Sequence, residues 1–194
     1  MENTIREAKQ RLRGEVYAAL ERMPAAARAA ASEQARTLLQ RQVRWTAAQS
    51  VLFFAPMPGE LDIWPLLAEA LAAGKRVALP RFLRAGKTYE VCEILDPQSD
   101  LEAGHFGIRE PKSACRGAPS GRMDLILVPG VAFDARGHRL GRGKGYYDQL
   151  LGRWEGTTCG VAFDQQMTAE IPVEPHDVRL NCVLTPTRWI DLGD

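Results

Sequence analysis

Hydrophobic positions recur at helical spacing over the first forty residues and then gather into short continuous runs. Ile5, Ala8, Leu12, Val16 and Ala19 fall on one face of a first helix. A second, alanine-rich helical stretch opens at Pro24, a residue suited to a first turn, and runs to about Val43. The period then changes. SVLFFA (50–55) is an apolar run of strand length that ends in the turn-rich PMPGE. LDIWPLLAEALAAG reads as a helix closed by Gly74. RVALP, TYEVCEI, DLILVP, TTCGVAF and NCVLTP read as further strands. Residues 95–122 are less regular and predict a short helix and loops. Apolar strands separated by helices predict an α/β fold with a largely parallel sheet and an N-terminal helix pair. No repeat and no long linker interrupts the pattern, so residues 1–194 read as one domain.

Composition narrows the function. The net charge is +1, so no overall field favours nucleic acid or an anionic membrane. The arginine-rich first forty residues are interleaved with Glu2, Glu7, Glu15, Glu21 and Glu33, as a docked helix pair would be. No stretch approaches the length of a membrane span, and the charged start lacks the apolar core of a secretory signal. The four cysteines (Cys92, Cys115, Cys159, Cys182) are irregularly spaced and the three histidines stand apart. That pattern predicts reduced cytoplasmic thiols rather than a disulfide framework or structural zinc. No long apolar surface stripe is left unassigned, so the expectation is a monomer.

The candidate chemistry sits after DLILVP. Residues 141–151, GRGKGYYDQLL, combine glycines, cations, tyrosines and a carboxylate, and a helix should start after Gly145. Gly141, Gly143 and Gly145 allow the backbone to approach a ligand, a helix start favours an anion, and Arg139, Arg142 and Lys144 add charge. The segment reads either as a phosphate cradle or as a solvated surface loop. It is not a Walker A loop, which would need Gly at 138 and Ser or Thr at 145, where this chain has His138 and Gly145. Asp148 either supports the helix end or offers a ligand to Mg²⁺, which takes one or two protein carboxylates beside phosphate oxygens. Asp177, in EPHDVRL, is a candidate second carboxylate or an ordinary turn residue. Lys9 and Arg13 are four apart on one helical face; they read either as a solvated face or as cations reaching over a site.

LILVPGVAFDARGHRLGRGKGYYDQLL resembles the signature of the 5-formyltetrahydrofolate cyclo-ligase family. AKQRLR, PMPGELD, FGIREP and PVEPHDVRL agree in order, so the resemblance spans nearly the whole chain. It implies a three-layer α/β/α fold and the ATP- and Mg²⁺-dependent conversion of 5-formyltetrahydrofolate to 5,10-methenyltetrahydrofolate, ADP and phosphate. The folate carries a polyglutamate tail or none. By the resemblance, Lys9 and Arg13 bind ATP phosphates, together with Arg139, Gly141, Arg142, Gly143, Lys144, Gly145, Tyr146 and Tyr147. Met57, Glu60, Phe106, Arg142, Lys144 and Tyr146 bind the folate, with Glu60 accepting from pterin N–H groups. Arg142, Lys144 and Tyr146 take the catalytic positions, and Asp148 and Asp177 the metal positions. Met57 and Phe106 read equally as core packing, and one tyrosine as a packed helix residue.

Three other readings compete. A sugar-phosphate isomerase on the same fold would need a general base, for which no strong pair is present. A folate or nucleotide binder would use the loop without Mg²⁺. Binding of nucleic acid by the first forty residues would show a steep salt dependence.

Overall fold

The computed structural model describes residues 2–104, 108–118, 121–175 and 177–193. Phe106, His105 and His176 therefore lie outside the described residues. In chain order the elements are α1 (Glu2–Glu21), α2 (Ala25–Gln40), α3 (Val43–Thr46), β1 (Ser50–Leu52), α4 (Trp64–Ala72), β2 (Arg76–Leu83) and β3 (Thr88–Ile94). Then come β4 (Leu101–Ala103), β5 (Arg109–Pro111), β6 (Arg122–Val128), β7 (Ala132–Asp134), β8 (Arg139–Leu140) and α5 (Tyr146–Leu151). β9 (Glu155–Val161), β10 (Met167–Thr168), β11 (Cys182–Leu184) and β12 (Trp189–Asp191) complete them.

The apolar runs build a seven-stranded sheet in the order β12-β11-β9-β6-β1-β2-β3. Its five inner strands are parallel, and β12 and β3 pair antiparallel at the edges. The inner strands are buried where both faces are covered, with polar residues toward their ends. Along β6, Leu125 and Leu127 pack with Leu39 of α2, Trp45 of α3 and Leu66 of α4 in one cluster. Their neighbours Ile126 and Val128 pack with Leu150 and Leu151 of α5 in another. Helices on both sides of the sheet give the expected α/β/α layering. A third cluster docks α1: Val16 packs against Val131, Ala132, Leu140 and Ile171, with Leu12 and Leu20 beside it. These residues surround a small sheet ordered β10-β7-β8.

Several expectations need correction. Residues 95–122 form no helix among the described residues; β4 and β5 pair antiparallel there instead. Asp100 accepts from the backbone N–H groups of Leu95 and Asp96 at 2.8 and 2.9 Å, which turns the chain before a helix can start. The first strand ends at Leu52, although Phe53 and Phe54 stay buried. α2 starts one residue later, with Pro24 as its N-cap, and stops at Gln40; Val43 opens the separate helix α3. α4 begins only at Trp64, where Asp62 Oδ1 accepts the Trp64 N–H at 3.0 Å. It closes as expected before Gly74, whose φ of +74° suits glycine. β12 was not legible in the pattern.

Candidate active site

β1 neighbours β2 on one side and β6 on the other. The chain leaves β1 through α4 toward β2, whereas β6 is reached only after the β2–β3 hairpin and the β4–β5 ladder. This is a topological switch point, where open parallel sheets leave a crevice beyond the strands' carboxyl ends. PMPGE leaves β1 at that edge, and the segment from residue 129 to the glycine loop leaves β6 there.

Side chains rather than periodicity set the path to the loop. Asp134, fully buried, accepts from the backbone N–H groups of Arg136, His138 and Ile171 at 2.9, 3.0 and 3.2 Å and from His138 Nδ1 at 3.0 Å. Burial alone would raise its carboxyl pKa; the hydrogen bonds from His138, Arg136 and Ile171 outweigh it and hold the group below the usual range. Gln166 Nε2 donates to the carbonyls of Gly130 and Val131 at 2.8 and 3.0 Å. The loop then crosses α1, where Arg13 Nε donates to the Gly141 carbonyl at 2.9 Å. Gly143 and Gly145 take φ of +89° and +67°, and Gly145 is the N-cap of α5.

Beneath the loop lies Arg139. Its side chain is only 3% exposed, and it donates to Asp148 Oδ1 at 2.5 Å. A Cβ on Gly141 would meet Arg139 Nη1 at 2.9 Å, so the loop lies on the guanidinium. Arg139 thus supports the loop and fixes Asp148 from below. Lys144 stands exposed on the loop.

Glu60 closes the opposite side. Its Oε2 accepts the Met57 N–H at 2.9 Å, within the turn after β1, and its Oε1 accepts from Arg142 at 2.7 Å. Burial alone would lower the Arg142 pKa, but the hydrogen bond and charge of Glu60, with Tyr17 and Tyr89 nearby, raise it. Met57 is half-buried beside this pair.

An aromatic wall joins α5 to the β2–β3 hairpin. Tyr146 lies 5.1 Å from Phe82 and 6.0 Å from Tyr89, ring centre to ring centre, and Tyr147 lies 5.5 Å from Tyr89. Tyr147 packs with both main core clusters, and burial pushes its phenol far up. Burial likewise raises Tyr89, with the charges of Glu110 and Glu60 adding to it.

Lys9 reaches a separate carboxylate pair at the edge of α1. Its Nζ lies 2.6 Å from Asp177 Oδ2 and 2.7 Å from Glu174 Oε2, and the residue is 8% exposed. Burial alone would lower its ammonium pKa; the bonds to Asp177 and Glu174 outweigh this and raise it.

The structure therefore brings Arg13, Arg139, Gly141, Arg142, Gly143, Lys144, Gly145, Tyr146, Tyr147 and Asp148 into one region, with Met57 and Glu60 opposite. Lys9 and Asp177 meet each other. Sequence reasoning missed Phe82, Tyr89 and Glu174. Only Glu174 carried a signal, standing three residues before Asp177. Asp148 and Asp177 each have a cation on one side, and among the described residues no group of three or more His, Cys, Asp or Glu gathers. Asp148 Oδ1 accepts from Arg139, and Asp177 Oδ2 from Lys9 and the Glu174 N–H, so a divalent ion here would arrive with phosphate oxygens rather than rest in a protein cage. Two shallow clefts, about 330 and 400 Å³, lie away from this region. One is at the amino ends of β6 and β9; the other lies between α2 and Pro186. Among the described residues no helix is long and apolar enough to cross a membrane.

The chain has relatives among known proteins. The pattern of the 5-formyltetrahydrofolate cyclo-ligase family matches residues 5–186. The chain is 36% identical over 160 residues to the 5-formyltetrahydrofolate cyclo-ligase of Escherichia coli K12, covering 80% of this chain and 88% of that one. It resembles the solved 5,10-methenyltetrahydrofolate synthetase of Aquifex aeolicus at 33% identity and a TM-score of 0.85, covering 96% of this chain and 93% of that one. A Mycoplasma pneumoniae synthetase, at 18% identity and a TM-score of 0.69 over 92% and 98% of the two chains, shares the fold.

Proposed function

The chain belongs to the 5-formyltetrahydrofolate cyclo-ligase family and is an enzyme of that activity; from that premise we propose that it uses ATP and Mg²⁺ to convert 5-formyltetrahydrofolate to 5,10-methenyltetrahydrofolate in the cytoplasm. The observation that carries the nucleotide reading is the glycine loop. It is pinned by Arg13, supported by Arg139 and placed opposite Glu60 at the switch point of the sheet.

The formyl group on N5 is an amide, so its carbon is a poor electrophile and its oxygen a poor leaving group. In the proposed reaction the formyl oxygen attacks the γ-phosphorus of ATP. An oxygen–phosphorus bond forms, and the bond to the β-phosphate oxygen breaks, releasing ADP. N10 then attacks the formyl carbon. The carbon–oxygen bond breaks, phosphate leaves, and N10 gives up its proton. Such chemistry asks a protein mainly for positioning and charge neutralisation.

The residues present suit those tasks. Lys144 and the loop N–H groups face the phosphates, with Arg142 beside them, and Lys9 and Arg13 contribute from α1. Glu60 accepts from the pterin's N–H groups, Met57 and Tyr146 line its ring, and Phe106 is proposed as a further aromatic contact. Asp148 and Asp177 would hold Mg²⁺, which when bound neutralises charge on the phosphate oxygens.

The test mixes the purified protein with 5-formyltetrahydrofolate, ATP and Mg²⁺ and follows the near-ultraviolet absorbance of the methenyl product. Product is expected only when ATP and Mg²⁺ are both present, and EDTA should abolish it. Product without ATP, or undiminished by EDTA, would refute the proposal.

A further inference from the structure

Glu60 is assigned above to the pterin and Arg142 to both ligands, yet here they hold each other. Glu60 lies in the turn after β1, and Arg142 lies 82 positions later in the glycine loop, 2.7 Å from its Oε1. The other carboxylate oxygen accepts the Met57 N–H and keeps a second lone pair. The Glu60 side chain is 14% exposed and that of Arg142 46%. One partner is thus fixed in a turn, and the other is a long cation on a glycine-flanked loop. Arg13 pins the loop at the preceding residue, through the Gly141 carbonyl. Gly143 follows in the left-handed region, and a glycine there widens the conformations open to the backbone beside Arg142.

We propose that Arg142 is a substrate-displaced arginine: the folate's paired N–H donors replace it on Glu60, and the freed guanidinium turns to the anionic co-substrate. The inference rests on the cyclo-ligase reading. A ligand donating two parallel N–H bonds needs both oxygens of a carboxylate. The exposed approach to Glu60 Oε1 is where Arg142 stands, so the two compete. A guanidinium released beside the loop is a strong partner for phosphate oxygens. Conversely, a nucleotide that draws Arg142 to itself vacates Glu60. The two ligands therefore bind with positive coupling, and each must tighten the other by the same factor.

The test is calorimetric titration with two unreactive probes in Mg²⁺ buffer. One is tetrahydrofolate, which lacks the formyl group; the other is an ATP analogue whose γ-phosphoryl group cannot transfer. In the wild type each probe is expected to tighten the other by about 5–100-fold. Arg142→Ala and Arg142→Gln should bind tetrahydrofolate alone about 1.5–5-fold more tightly than wild type, because the competitor is gone. Both should lose the coupling. Glu60→Gln should bind the nucleotide analogue alone at least as tightly as wild type, bind tetrahydrofolate more weakly, and also lose the coupling. A merely structural Arg142 would give the opposite sign for folate. Independent binding in a wild type that turns over would overturn the exchange and leave the cyclo-ligase reading standing. Weaker folate binding in both Arg142 variants with coupling retained would do the same. A wild type that neither turns over nor binds either probe would overturn both.

Discussion

Lys144 differs from the other cations around the glycine loop. Arg13, Arg139 and Arg142 each donate to an acceptor of the protein, whereas Lys144 extends into solvent. Its removal should leave stability unchanged and act on ligands, the nucleotide's phosphates above all. A charge-assisted hydrogen bond contributes about 1.5–3 kcal/mol, so Lys144→Ala is expected to lower kcat/KM for ATP by about 10–100-fold. Steady-state kinetics with ATP varied, beside an unchanged urea midpoint, would check this; undiminished kcat/KM would remove Lys144 from the cradle. The glycines divide in the same way. A Cβ on Gly145 meets no atom within 4 Å, so Gly145→Ala bears only the backbone cost of φ +67°, about 1–2 kcal/mol. Gly156 in β9 is different: there a Cβ would lie 1.8 Å from the Met123 carbonyl oxygen at φ +145°. Gly156→Ala should fail to yield folded protein, while Gly145→Ala folds with a lowered urea midpoint. Equal effects of the two would contradict this account.

The elements show why some of the site could be read from sequence and some could not. TYEVCEI alternates, and β3 covers that stretch; α1 follows its apolar period almost to the last residue. The β7–β8–β10 sheet has strands of two or three residues, too short for any period to show. Asp134 and Gln166 hold that sheet together, each through side-chain bonds to backbone groups. The aromatic wall was hidden for another reason. β2 continues past Pro80 to Leu83, and the hairpin carries Phe82 and Tyr89 to α5, a contact between distant parts of the chain. The glycine loop was legible because one stretch of sequence holds it; the Glu60–Arg142 pair was not, because only the fold brings it together. The role of Asp134 can be measured. Asp134→Asn places an amide NH₂ against backbone donors and should cost about 3 kcal/mol by denaturant unfolding. The Asp134 carboxyl titrates lower when folded than when unfolded, so its contribution is present above about pH 4 and is lost as pH falls through its depressed value. The acid limb of stability against pH should therefore be shallower in Asp134→Asn than in wild type. Superimposable limbs would show that the β7–β8–β10 sheet does not depend on this charge.

Across the whole molecule, the proposed site draws on parts far apart in the sequence. α1 supplies Lys9 and Arg13, the switch-point loops supply Glu60 and the glycine segment, and the chain near residue 177 supplies Glu174 and Asp177. Arg13 ties α1 to the glycine loop, and Lys9 ties it to the Glu174–Asp177 pair. A nucleotide bridging these parts would bind only the folded chain, and so should stabilise all of it. At a hundredfold excess over Kd the gain is about 2.7 kcal/mol. For a chain of this length that corresponds to a rise in Tm of about 5–10 °C. The expected result is such a rise with Mg²⁺ and the non-transferable ATP analogue. Lys9→Met combined with Arg13→Met should abolish it at the same ligand concentration, because the phosphates would lose both cations of α1. The double variant should also melt lower without ligand, since Glu174 and Asp177 would face each other with no cation between them. A variant that melts lower yet keeps the full nucleotide shift would restrict Lys9 and Arg13 to holding α1 in place, and would leave phosphate binding to the glycine loop alone.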